Sequence, residues 1–216
     1  MGFWHALTSS SAAPTPGTRA NFFIVYRMRK ISRDLENPID DVLIELANKL
    51  SPLLLATGHS PNLITTYSFA SALFALGALW QNEIGGFVLG WSLQYFWDCV
   101  DGHFARKYRM ESKLGDAYDH ITDVLTTCGL GYIVIRKYQP PLWAYGIVGV
   151  LIVLLMVHAG CQQRNTHTKT HKESMDLFQA SCASPSWIHW TRFFGFGTFQ
   201  VAIIILIVYL HYTRGT

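Results

Sequence analysis

Asp98, Asp101, Asp116, Asp119 and Asp123 fall within one stretch, DCVDGHFARKYRMESKLGDAYDHITD, from Asp98 to Asp123. An almost charge-free apolar segment precedes it and another follows. Ionised groups in such a setting are costly unless they bind a cation or line a watery cavity. Asp98 and Asp101 are three residues apart, and Asp119 and Asp123 four apart, so on helices each pair shares a face. Two such helices joined by a turn aim four carboxylates at one point, and carboxylate oxygens are the ligands hard divalent cations prefer. The spacing predicts a metal site built by a helix–loop–helix at a membrane–water boundary.

The elements that must hold this site are apolar. Of 216 residues 50% are hydrophobic and 14% charged, which excludes an ordinary soluble domain and predicts an all-α, polytopic transmembrane bundle. A net charge of +3 is too small to imply a nucleic-acid partner. Residues 1–36 read as a flexible basic segment. Residues 1–20 are rich in Ser, Thr, Ala and Pro, and Asn21–Arg33 suits either an anionic membrane face or a solvated tail. Met1-Gly2 lacks the Ser or Thr a myristoylation signal needs, because Ala6 stands there. Residues 37–58 read as an interfacial amphipathic helix. Asn37-Pro38 starts it, and Ile39, Val42, Leu43, Leu46 and Leu50 recur at helical spacing.

Residues 59–216 read as the transmembrane domain, with five spans near ~20 residues each. They are Asn62–Trp80, Ile84 to the first acids, Asp119–Ile135, Leu142–His158 and Trp187–Leu210. Gly195 and Gly197 stand ready to kink the last or to let it pack closely. With a cytoplasmic amino terminus, Arg27, Arg29, Lys30, Arg33, Arg106, Lys107, Arg164 and Lys169 all lie on the cytoplasmic side. Arg136, Lys137 and Arg214 lie opposite. That bias sets the orientation and turns the acids toward the cytoplasm. Cys99, Cys128, Cys161 and Cys182 have neither metal-type nor disulfide-framework spacing and read as free or buried thiols. His103 and His120, inside the motif, read at least as well as interfacial polar residues as they do as ligands, and His158, His167 and His171 read as loop residues.

The full spacing is Asp98-x2-Asp101-Gly102-x2-Ala105-Arg106-x8-Gly115-x3-Asp119-x3-Asp123. At every fixed position it resembles the signature of the CDP-alcohol phosphotransferase (CDP-alcohol phosphatidyltransferase) family. Family members transfer a substituted phosphate from a CDP-linked alcohol to a hydroxyl and release CMP. The resemblance implies that Asp98, Asp101, Asp119 and Asp123 hold Mg²⁺ or Mn²⁺, two ions, and that Asp123 also takes the acceptor's proton. It implies donor contacts by Asp101, Gly102, Ala105, Arg106, Ser112 and Gly115, and by Asn62 in Pro61-Asn62-Leu63-Ile64. Physical reasons agree. Small residues let backbone and nucleotide approach closely, and Arg106 offers a planar fork to phosphate oxygens. Asp116 is not a fixed position.

The partners implied are a CDP-alcohol donor, an alcohol acceptor, membrane lipids and a second copy in a homodimer. The site would face the cytoplasm, in a eukaryote from the endoplasmic reticulum membrane. The family commonly has six core spans where this chain offers five, so either Trp187–Leu210 hides a break or a helix is missing. Asp101-Gly102-His103 and Thr122-Asp123 resemble phosphatidylinositol synthases, which take CDP-diacylglycerol. Asp119-His120 is closer to choline and ethanolamine phosphotransferases, which use a diacylglycerol acceptor. A Mg-dependent membrane prenyltransferase or a divalent-cation carrier would also want membrane carboxylates. Neither needs Gly102, Ala105, Arg106 and Gly115 beside them.

Overall fold

The computed structural model describes residues 29, 31–166 and 180–214; the readings of Met1-Gly2, of most of Asn21–Arg33, and of His167, Lys169 and His171 lie outside them. Among these residues the structure is helical, without strands. The long helices are α1 (Pro38–Ala56), α2 (Pro61–Trp80), α3 (Ile84–Tyr108), α4 (Lys113–Tyr138), α5 (Leu142–Asn165) and α6 (Phe196–Arg214).

Local chemistry explains the ends of α1. The Asn37 side chain accepts from the Ile39 and Asp40 amides, Pro38 sits at the first helical position, and Asp40 and Asp41 face the positive helix end. At the far end Gly58, with φ +76°, lets the amides of Gly58 and His59 reach back to the carbonyls of Leu55 and Leu54. Pro52 does not stop the helix. It has no N–H for the carbonyl of Asn48. Lys107 on α3 supplies the missing donor, its Nζ lying 3.0 Å from that carbonyl and 2.6 Å from Asn48 Oδ1. Lys107, a plausible charge anchor by sequence, thus ties α3 to α1. Just before α1, Arg29 and Arg33 bond Asp41, and Ile31 is buried.

α2 and α3 form a tight antiparallel pair, turned at Gln81–Glu83 with Asn82 in the left-handed region. The seam is narrow. A Cβ on Gly90 would fall 2.8 Å from Phe74 Cδ1 and 3.0 Å from the Ala75 Cβ, the close approach that small residues allow between membrane helices. Lys137 on α4 donates to the carbonyls of Leu79 and Trp80 and so caps the negative end of α2. One apolar cluster joins α2, α3, α4 and α6 through Leu79, Phe87, Trp91, Ile133, Tyr138 and Leu210. A second seats α1 on Ile64, Val100 and Phe104.

Three stretches are long and apolar enough to cross a membrane: α2, α5 and Pro185–Arg214. The expected five or six become three by this measure, because α3 and α4, though 25 and 26 residues long, carry the charged stretch. The last apolar run is not one helix. Short turns over Pro185–Phe194 end at Gly195, where the backbone is extended, and α6 starts after it. The break adds no further long helix among the described residues. Gly197 then lies against Ile39 and Asp40, where a Cβ would collide with both.

Two residue readings need correction. Cys161 and Cys182 are joined by a disulfide, fully buried beside Ile31 and Ile188. Their spacing fits no framework because the bond closes a tertiary contact between the end of α5 and the approach to α6. His158 is not in a loop but buried in α5, its Nδ1 3.4 Å from Thr191 Oγ1.

Candidate metal centre

The acids sit on two helices that hardly touch. α4 makes its close contacts with α2 rather than α3, which leaves a cleft between the carboxyl-terminal half of α3 and the amino-terminal half of α4. Arg109, in the left-handed conformation, ends α3, and Ser112 starts α4 by accepting from the Gly115 amide at 3.0 Å. Only two residues, Met110 and Glu111, separate this cap from Arg109.

Across the cleft, ligand oxygens of Asp98, Asp119 and Asp123 all lie within 4.8 Å of one another. Such convergence of like charges is repulsive without a cation, and the donor set is that of a hard divalent ion. Asp101 is not within this trio. Its Oδ2 accepts from Thr65 Oγ1 at 2.7 Å, while Asp119 and Asp123 are still close enough to act on its charge. Asp116 is exposed; its carbonyl faces His120 Nδ1 at 2.8 Å.

The remaining predicted residues form two groups. On α3 the Arg106 guanidinium folds back over Gly102, where a Cβ would stand 3.2 Å from Nη1. Arg106 Nε is buried without a hydrogen-bond partner, a donor free for an oxygen ligand. Ala105 sits between these acids and Arg109, its carbonyl accepting from the Met110 amide. At the start of α4, a Cβ on Gly115 would lie 2.8 Å from Asn62 Oδ1 and 3.0 Å from Ser112 Oγ. Asn62, Ser112 and Gly115, scattered in sequence, are therefore neighbours, and they gather where α2 and α4 both begin. Helix amino termini favour phosphate oxygens.

Sequence reasoning passed over Thr65 and Tyr95. Thr65 lies one helical turn after Asn62, and that periodicity was the available signal. Tyr95 donates to Asp40 at 2.5 Å, one turn before Asp98, and no pattern pointed to it. His103 is almost fully buried and neither ring nitrogen has a hydrogen-bond partner; an interfacial polar role does not describe it.

The cleft thus brings a carboxylate trio together with small residues beside it. The sequence profile of the CDP-alcohol phosphatidyltransferase family matches residues 58–212, and the chain belongs to that family. No curated protein and no solved structure matches it. The family is one of enzymes that transfer a phosphatidyl or related group from a CDP-alcohol, and it uses divalent metal ions.

Proposed function

We propose that the protein transfers a phosphatidyl group from CDP-diacylglycerol to the hydroxyl of an alcohol and releases CMP, a step of phospholipid synthesis. The observation that carries this reading is the convergence of Asp98, Asp119 and Asp123 across a cleft flanked by Arg106 and the Asn62–Ser112–Gly115 group. Asp98, Asp101, Asp119 and Asp123 are the groups that would hold two Mg²⁺ or Mn²⁺ ions. Bound there, such ions neutralise the pyrophosphate and stabilise charge on the departing phosphate.

The chain's own residues take the other roles. Arg106 binds phosphate oxygens through its guanidinium N–H groups. Asn62 and Ser112 meet the nucleotide, with Ser112 still able to donate its hydroxyl proton while its oxygen caps α4. Gly102, Ala105 and Gly115 leave room for the nucleotide. Asp123 takes the acceptor's proton as the new phosphate ester forms.

A lipid-linked donor is supported by an open groove of about 490 Å³ between α2 and α4. Leu63, Leu114, Ala117 and Ile121 line it together with Asn62. It suits an acyl chain beside a nucleotide held at Asn62. In this reading α3 and α4 also cross the bilayer, their charged faces turned to the cleft, and α1 lies along the cytoplasmic surface of the endoplasmic reticulum membrane. The exposed apolar faces of α5 then meet lipid or a second copy.

Purified protein given CDP-diacylglycerol and a panel of alcohols should release CMP with one of them, and chelation of divalent ions should abolish it. CMP release only with soluble CDP-alcohols and diacylglycerol would replace the donor assignment. Full activity without divalent metal would sink the metal reading. Absence of CMP release with every donor would favour a prenyltransferase or cation carrier.

A further inference from the structure

Asp101, one of the four motif carboxylates, is held by a neutral side chain of another helix. Thr65 on α2 and Asp101 on α3 are both buried, at 4% and 6% exposure. The Thr65 hydroxyl has one proton and two acceptors in reach, the Pro61 carbonyl at 3.2 Å and Asp101 Oδ2 at 2.7 Å. The shorter contact has the length of a charge-assisted bond to an ionised carboxylate. A Thr within a helix ordinarily returns its proton to the carbonyl four residues back. Here it is aimed across the helix interface instead.

The consequence is geometric. Asp98, Asp119 and Asp123 converge without help from Asp101. The bond from Thr65 to Oδ2 holds the Asp101 carboxylate in one orientation relative to the cleft. We propose that Thr65 is a positioning residue: it fixes the orientation of the Asp101 carboxylate, which would complete a second divalent-ion site beside the Asp98–Asp119–Asp123 trio. The inference rests on the metal reading above. Hydrogen-bond partners standing behind metal ligands set ligand orientation and commonly change metal affinity 10- to 100-fold (about one to two decades).

The test is Mn²⁺ binding to the purified protein, followed by electron paramagnetic resonance, for the wild type, Thr65→Ser, Thr65→Val, Thr65→Ala and Asp101→Asn. The wild type and Thr65→Ser should bind two ions with equal affinities. Thr65→Val and Thr65→Ala should keep the tighter ion and bind the weaker one about tenfold or more less tightly. Asp101→Asn should lose the weaker ion alone, and adding Thr65→Val to it should change nothing further. Thermal melting in metal-free buffer reports folding separately. Wild-type affinities in both Thr65→Val and Thr65→Ala would overturn the role of Thr65 and leave the metal reading standing. A further loss in the double variant would overturn it too, since Thr65 would then act through something other than Asp101. A wild type that binds no Mn²⁺ would overturn both.

Discussion

Asp123 and Gly115 make opposite demands at the residue scale. Asp123 must be present in ionised form to accept a proton, whereas Gly115 must have no side chain. Asp123→Asn keeps shape and hydrogen bonding but removes the base. CMP release should fall by about 10²–10⁴, the usual worth of general base catalysis, while donor binding is partly retained. A normal turnover rate would refute the assignment. At Gly115 any side chain would run against Asn62 Oδ1 and Ser112 Oγ. Gly115→Leu should therefore weaken CDP-donor binding by about tenfold or more, a loss of ~1.4 kcal/mol or more, with the protein still folded and inserted. Donor binding and thermal melting measured together separate this from a plain loss of stability. Unchanged donor affinity in the folded fraction would remove the nucleotide from this glycine.

At the scale of elements, the site depends on where α3 and α4 are fastened rather than on how they pack together. α4 is anchored to α2 by Lys137, and α3 to α1 by Lys107. The Lys107 contact exists because Pro52 leaves a carbonyl unmatched in α1. Lys107→Met preserves the apolar stem and removes the donor, so it should destabilise the protein by about 1–3 kcal/mol. Adding Pro52→Ala, which restores the helical donor, should recover part of that loss. Thermal melting of both variants in detergent checks it, and equal melting of Lys107→Met and wild type would show the contact to be idle. Asn37 works similarly at the other end of α1. It caps the helix and donates to the Arg192 carbonyl and Thr198 Oγ1, so the break before α6 and the start of α1 are held by one side chain.

For the whole molecule, the Cys161–Cys182 bond closes a loop with sequence separation 21 on the side of the bundle where α1 and α6 begin. Cross-linking a loop of that size contributes about 3 kcal/mol through the unfolded chain. Reduction, or Cys161→Ser, should lower the melting temperature, and reductant should have no further effect on the serine variant. Melting curves with and without reductant decide this. The bond also bears on orientation. Disulfides persist in oxidising compartments, whereas the Lys/Arg bias turns this same end to the cytoplasm. Reaction of Cys161 and Cys182 with a membrane-impermeant thiol reagent in sealed vesicles, before and after reduction, establishes which side the end faces.

The sequence by itself determined the all-helical character, the start of α1, the extent of α2 and the membership in the family, whereas α4 begins at Lys113 rather than near Asp119. Asn37-Pro38 acts over one turn of chain, the apolar runs are continuous, and the eight motif residues occupy a single window. It also brought Gly195 and Gly197 forward as a break and a close contact, both found. What it left open depended on residues far apart in the chain. The grouping of Asn62 with Gly115, the hold of Thr65 on Asp101, the burial of His158 and the Cys161–Cys182 bond arise only when helices are packed. Periodicity states which face a residue occupies but not which helix will meet that face. The carboxylate cleft is such a case: spacing put each acidic pair on one face, and only the leaning of α4 on α2 decided that Asp98, Asp119 and Asp123 would meet while Asp101 turned to Thr65.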